Sequence, residues 1–252
     1  MANYRSLDPV KIIDTLERLE RRIAARFPGS GLGKLCLEAT DTARTAAAKA
    51  DAIAAPSVVY RLLEVGLILL GVLVLGLIAI SLDVRRTTEN VYSVLQGVDS
   101  GFNIIVLVGA AVIFVTRFEE MAKRNRALKD LHELRSLIHV IDMHQLTKDP
   151  SVTLRPEMAT PASPVVKLTP FELSRYLDYC SEMLSLTAKI AALYAQSSRD
   201  SLVIATVNDL EQLSANLSEK IWQKIGVLQR EPAIASAPVQ PQAHAPAPKP
   251  AA

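Results

Sequence analysis

The sequence predicts an all-α membrane protein: a two-span transmembrane hairpin carrying a cytoplasmic helical bundle with coiled-coil-like arms. Three observations predict it. First, "VGLILLGVLVLGLIAISL", residues 65–82, runs for 18 residues without a charge, and at the helical rise it covers roughly 27 Å, close to the hydrocarbon thickness of a bilayer. Second, half the 252 residues are hydrophobic while only 5% are aromatic, a mix of Ala and Leu that favours helix over sheet. Third, apolar residues outside the spans recur at steps of three and four. No alternating β-branched run stands out.

The elements follow in order. Residues 1–56 read as an N-terminal cytoplasmic helical hairpin. Asp8 then Pro9 is an N-cap with proline at the first helical position, and Ile12, Ile13, Leu16, Leu19 and Ile23 form one apolar stripe up to about Arg26. "FPGSG" is the turn. A second helix from Lys34 to Ala54 carries Ala39, Ala43, Ala47, Ala50 and Ala54 along one side, allowing close packing but burying little area. Residues 57–83 hold the first transmembrane helix. Residues 84–100 read as a short extracytoplasmic amphipathic loop, whose Val91, Leu95 and Val98, continued by Phe102, have helical spacing, either an interfacial helix or an outward extension of the second span. Residues 101–117 hold that second span. It is only 16 residues from Gly101 to Thr116, with Arg117 able to snorkel and make up length.

Residues 118–147 continue as a cytoplasmic helix whose Ala127, Leu131, Leu134, Ile138 and Ile141 form an a/d seam. Residues 148–168 read as a Pro-rich linker. Residues 169–229 read as an antiparallel helical hairpin, opened by Thr169, Pro170 and Glu172 as a capping box. Its seams include Leu177 and Leu184 on one helix and Val207, Leu210, Leu217 and Ile221 on the other. Such a hairpin leaves an apolar edge that needs a third partner: the 127–141 seam, the N-terminal helices or a second copy. Residues 230–252, rich in Ala and Pro, read as a disordered tail.

Charge sets orientation. Arg44, Lys49 and Arg61 precede the first span, and Arg117, Lys123, Arg124, Arg126, Lys129 and Arg135 follow the second, whereas the connection holds Arg85 and Arg86 against Asp83, Glu89 and Asp99. The positive-inside rule therefore puts both termini in the cytoplasm, with the protein in a plasma or inner membrane. The charged, amphipathic start predicts no cleavable leader. A formal net charge of +2 implies no nucleic-acid partner. Cys36 and Cys180 make no CxxC pair and read as core residues of a reducing compartment.

Chemistry-bearing motifs are few. "FPGSGLGK" is no P-loop, because Pro28 stands where the first glycine is required and Leu35 follows Lys34. The stretch "LHELRSLIHVIDMHQLTKDP", residues 131–150, gathers His132, His139 and His144. A HEXXH zinc site is excluded, since Ser136 stands four after His132. The favoured reading is structural: His132 and His139 border the seam and hydrogen-bond across the bundle, while His144 lies near the helix end. The minority readings are a metal site, with His139 and Asp142 as the better ligands and His132 and His144 as weaker ones, and a pH-sensitive packing switch. Gly109, Ala110 and Ala111 offer a small-residue patch for membrane helix packing. Arg61 and Glu64, three apart, are expected to pair with each other.

No catalytic residue, cofactor or small-molecule substrate is implied. The spans carry no buried charge, broken helix or repeat, which argues against a transporter. The expectation is a non-enzymatic, membrane-anchored scaffold, adaptor or regulatory subunit. It acts through helix–helix interactions with its own copies, as a homo-oligomer, or with another helical protein, and its remaining partner is the lipid bilayer. The alternatives are an oligomeric channel or membrane-perturbing effector with Asn103 lining a pore, and a metal-binding enzyme or sensor built on the 132–144 segment.

Overall fold

A computed structural model describes residues 6–55, 57–84, 91–155, 157, 160–163 and 167–235. These fold into seven helices and, among the described residues, no strand: α1 (Pro9–Arg26), α2 (Gly31–Ala54), α3 (Val58–Val84), α4 (Val91–Leu146), α5 (Pro150–Leu154), α6 (Pro170–Ser197) and α7 (Ser201–Ala235).

Two parts with opposite burial share α4. The hairpin of α3 and the first half of α4 is apolar yet uncovered. Only 6% of the most apolar 18-residue window of the first span, and none of that of the second, is buried inside the protein. A core helix of a soluble protein would be mostly covered, so both helices are long and apolar enough to cross a membrane and have their greasy surface free to do so. The other part is a helical bundle of α1, α2, the second half of α4, α6 and α7. The central helix α6 packs against all four others. Leu173, Leu177, Cys180, Met183, Leu184, Ile190 and Tyr194 are among its fully buried residues.

Caps fix where the helices begin. Asp8 accepts a hydrogen bond from the Val10 amide, and Ser30 from the Gly33 amide. Thr169 and Glu172 form the reciprocal capping box, with Pro170 in the first turn. Each such cap satisfies an otherwise orphaned amide and contributes about 1 kcal/mol. Because Ser30 is the cap, α2 starts at Gly31, three residues before Lys34. Gly29 takes the left-handed conformation (φ 69°) that closes the α1–α2 turn. The buried face of α2 includes Leu32, Cys36, Ala39, Thr40, Ala43, Ala46 and Ala50, while Ala47, expected on the stripe, is only partly covered. With Leu16, Leu19 and Ile23 of α1 also buried, the N-terminal pair is part of the main core.

The third partner for the α6–α7 pair thus lies in the same chain. Leu131, Leu134, Ile138 and Ile141 of α4, Leu177 and Leu184 of α6, and Val207, Leu210, Leu217 and Ile221 of α7 all belong to one buried cluster with the residues of α1 and α2.

Several boundaries differ from the sequence expectation. Residues 91–100 are no separate loop: they are the first turns of α4, continuous with the second apolar segment. The second span itself is the middle of a single 56-residue helix, about 84 Å long at 1.5 Å per residue. No Gly or Pro occurs from Ala110 to Leu146, so nothing interrupts its ladder. The expected linker, residues 148–168, contains the short helix α5, capped by Asp149 and seated through the buried Pro150. The last helix runs to Ala235, so 230–235 of the expected tail are helical. The rest of that tail, 236–252, and the loop residues Arg85, Arg86 and Glu89 lie outside the described residues.

Candidate functional site

Polar side chains gather at three levels of the protein. The first is inside the hairpin. Thr116 on α4 donates to Glu64 Oε1 on α3 at 2.9 Å, so Glu64 is held by the facing helix rather than by Arg61. The closest helix approach is also elsewhere than at Gly109. A Cβ placed on Gly71 would meet Val108 Cγ2 at 2.8 Å, whereas one on Gly109 would meet nothing within 4 Å. Gly109 and Ala110 are exposed, and Ala111 is only partly covered. The small residue that lets the spans touch is therefore Gly71, because Val108 and not Gly109 points across the interface. Asn103 binds Asp99 of its own helix at 3.3 Å on an exposed face.

The second level is where the hairpin enters the bundle. The α2–α3 turn is clamped to α4: the Ser57 amide donates to Glu119 Oε1 at 3.0 Å, and Lys123 Nζ donates to the Ala55 carbonyl at 2.8 Å. Lys123 and Glu119 also pair at 2.8 Å, and this hydrogen bond, joined by that of Ser57, holds the Glu119 carboxyl below its ordinary pKa. Tyr60 packs near Phe118, ring centres 6.3 Å apart. Arg124 reaches Asp200 in the α6–α7 turn at 3.9 Å. Two turns beyond Lys123 on α4, Lys49 Nζ donates to Asp130 Oδ1 at 2.6 Å, and the buried Tyr194 hydroxyl donates to Oδ2 at 3.1 Å. Asp130 is 8% exposed and has both oxygens occupied, which is what a buried carboxylate requires. The hydrogen bond to Asp130 raises the Lys49 pKa; burial, then the same carboxylate, raises that of Tyr194.

The third level is the far end of the bundle, where the histidine stretch lies. His132 and His139 are exposed and do not border the core, which corrects the expected hydrogen bonding across the bundle. The half-buried histidine is His144. Its Nδ1 lies 3.2 Å from the Tyr176 hydroxyl on α6, and its ring stands against Gly31, where a Cβ would be 2.8 Å from Cε1. Burial, and then the nearby Lys148, push its pKa below the ordinary value. Asp142 accepts from Gln145 Nε2 at 2.6 Å. Gln145 in turn accepts from Lys224 Nζ of α7 through its side-chain oxygen at 2.6 Å and its carbonyl at 3.0 Å. Asp142 is thus engaged in an inter-helix chain, and among the described residues no three His, Cys, Asp or Glu come together in a metal-holding group.

The two thiols are apart and buried, on α2 and α6. Desolvation pushes each up to about 12, so both are protonated and unreactive at neutral pH. Arg22 of α1 grips Glu182 of α6 through two bonds of 2.6 and 2.8 Å.

Sequence reasoning missed Asp130, Gln145 and Lys224. A signal for each was present: a polar residue at seam spacing, three after Ala127, four after Ile141 and three after Ile221. In comparisons with known families, characterised proteins and solved structures, nothing matches the chain.

Proposed function

We propose that this protein is a non-enzymatic, membrane-anchored helical scaffold, adaptor or regulatory subunit that holds a folded bundle at a fixed position on the cytoplasmic face of a plasma or inner membrane. The observation that carries this reading is the continuity of α4. The same helix that supplies the second apolar span buries Ala127, Leu131, Leu134, Ile138 and Ile141 in the bundle core, so anchor and bundle are one mechanical unit. The basic residues that cluster where α4 leaves the span support the cytoplasmic side for the bundle and both termini.

The a/d seams are consumed within the chain, so a protein partner, whether a second copy or another helical protein, meets the outer faces. Val140, Met143 and Leu146 on α4 and Trp222 on α7 are exposed apolar residues there. Photocrosslinkers at Met143 and Trp222, activated in native membranes, test the reading. One discrete crosslinked species from either position is the expected result. Recovery of uncrosslinked monomer alone from both positions sinks the scaffold reading.

A further inference from the structure

We infer that the junction between the hairpin and the bundle is a binding site for the phosphate head group of an anionic phospholipid. This rests on the membrane-anchored reading above. A cavity of about 510 Å³ opens between the end of α2, the start of α3 and α4, and Lys49, Ser57, Tyr60, Lys123, Arg126 and Lys129 are among its lining. That volume falls within the range of small-ligand sites.

The charges in it do not cancel. Glu119 is matched by Lys123 and Asp130 by Lys49. Arg126 and Lys129 line the same cavity with no anionic partner among the described residues. Two uncompensated cations facing one cavity attract a phosphate, and arginine suits it through its planar fork of donors. Ser57 and Tyr60 line the cavity as well.

Position selects a lipid as the source. Arg117 stands at the end of the second span, and Arg126 is nine residues further, about 14 Å along the helix. Head groups extend about 5–8 Å beyond the hydrocarbon on each side, so the cavity begins at Glu119 in the head-group layer and continues below it, and the long Arg126 side chain, tilted like all helical side chains toward the helix N-terminus, spans the distance back to that layer. The rest of its lining, Ala52, Ile53, Ala55 and Ala122, is apolar. Tyr60 beside Phe118 forms the kind of aromatic edge found at that depth. A basic recess between helices on the cytoplasmic side is how such head groups are held.

The test uses the full chain purified in a neutral detergent and titrated with dioctanoyl phosphatidylglycerol, dioctanoyl phosphatidylcholine and glycerol phosphate. We expect the anionic lipid to bind about tenfold or more tightly than the zwitterionic one, glycerol phosphate to bind far more weakly than either, and Arg126→Ala with Lys129→Ala to remove the preference. Arg126 is exposed, and a circular-dichroism melt matching the wild type establishes that the variant is folded. Equal binding of the two lipids, or a preference that survives in the folded variant, overturns the site. Glycerol phosphate binding as tightly as the lipid overturns the lipid as its source. Carbonate extraction of native membranes separates the two readings. A chain that stays in the pellet but shows no anionic preference loses only the head-group site, while a chain released by carbonate loses the anchor and the site together.

Discussion

Asp130 on α4 accepts from Lys49 on α2 at 2.6 Å while buried beneath the bundle surface. The lysine side chain is 45% exposed, so its ammonium reaches in from the edge and neutralises a carboxylate that Tyr194 contacts from the other side. Removing the carboxylate orphans a buried hydroxyl and three helices lose a common partner. Asp130→Ala should lower stability by about 2–4 kcal/mol, and Asp130→Asn, which keeps an oxygen for Tyr194, by about half of that. Urea denaturation in detergent followed by Trp222 fluorescence checks the order. Equal losses for the two variants would show that the tyrosine contact is immaterial.

The His144 environment gives a pH dependence with a defined sign. Its folded pKa lies below the unfolded one, because burial opposes charging and Lys148 repels the imidazolium. Below about pH 6.5, the ordinary histidine value, the unfolded chain takes up the proton first. The contribution is therefore complete above that pH and is lost as pH falls through the folded pKa. Tyr176, Lys148 and Gly31 stand against or near the ring, and among the described residues no carboxylate forms an ion pair with it to reverse the sign. Denaturation midpoints at pH 7.5 and 5.5 should fall for the wild type and fall less for His144→Gln. An equal fall in both chains removes His144 as the cause.

Gly71 and Gly109 separate two ideas of how the spans pack. Any side chain at Gly71 must displace Val108, a stiff β-branched residue. Gly71→Leu should cost about 1–3 kcal/mol, while Gly109→Leu, with open space around it, should stay within about 0.5 kcal/mol of the wild type. Thermal melts in one detergent provide the comparison. A larger cost at Gly109 would mean that a second molecule covers that face.

Because Cys36 and Cys180 are buried, with thiols pushed up to about 12, the native chain should resist maleimide until it is denatured. That silence makes single added cysteines readable. Tyr92, 84% exposed at the N-terminal end of α4, and Arg199 in the α6–α7 turn report on the two sides that the proposed orientation assigns to the hairpin tip and the bundle. In intact cells an impermeant maleimide should label Tyr92→Cys, and should label Arg199→Cys only after permeabilisation. The reverse pattern inverts the orientation.

What the sequence revealed is what period and length encode. A charge-free 18-residue run and seams stepping by three and four are properties of a single segment, so the all-helical bundle with two long apolar helices could be read from them. The polar centre was harder to read. Asp130, Gln145 and Lys224 sit at seam spacing, where a polar residue looks like an interruption until its partner on another helix is known. The histidines misled for the opposite reason: three in one stretch look like chemistry, but a step of seven puts His132 and His139 together on the outer face and leaves His144 alone to turn inward. Gly71 was hidden among apolar neighbours, since close approach depends on which residue of α4 faces it.

The unbroken course of α4 also sets how movement can pass between the two parts. A helix without a hinge does not fold at the membrane surface; it tips or turns as a rod. With about 45 Å of its length, Arg117 to Leu146, below the span, a tilt of ten degrees at the bilayer sweeps the far end sideways by about 8 Å. A change in bilayer thickness that retilts the span would therefore appear, magnified, as a displacement of His144 and its neighbours.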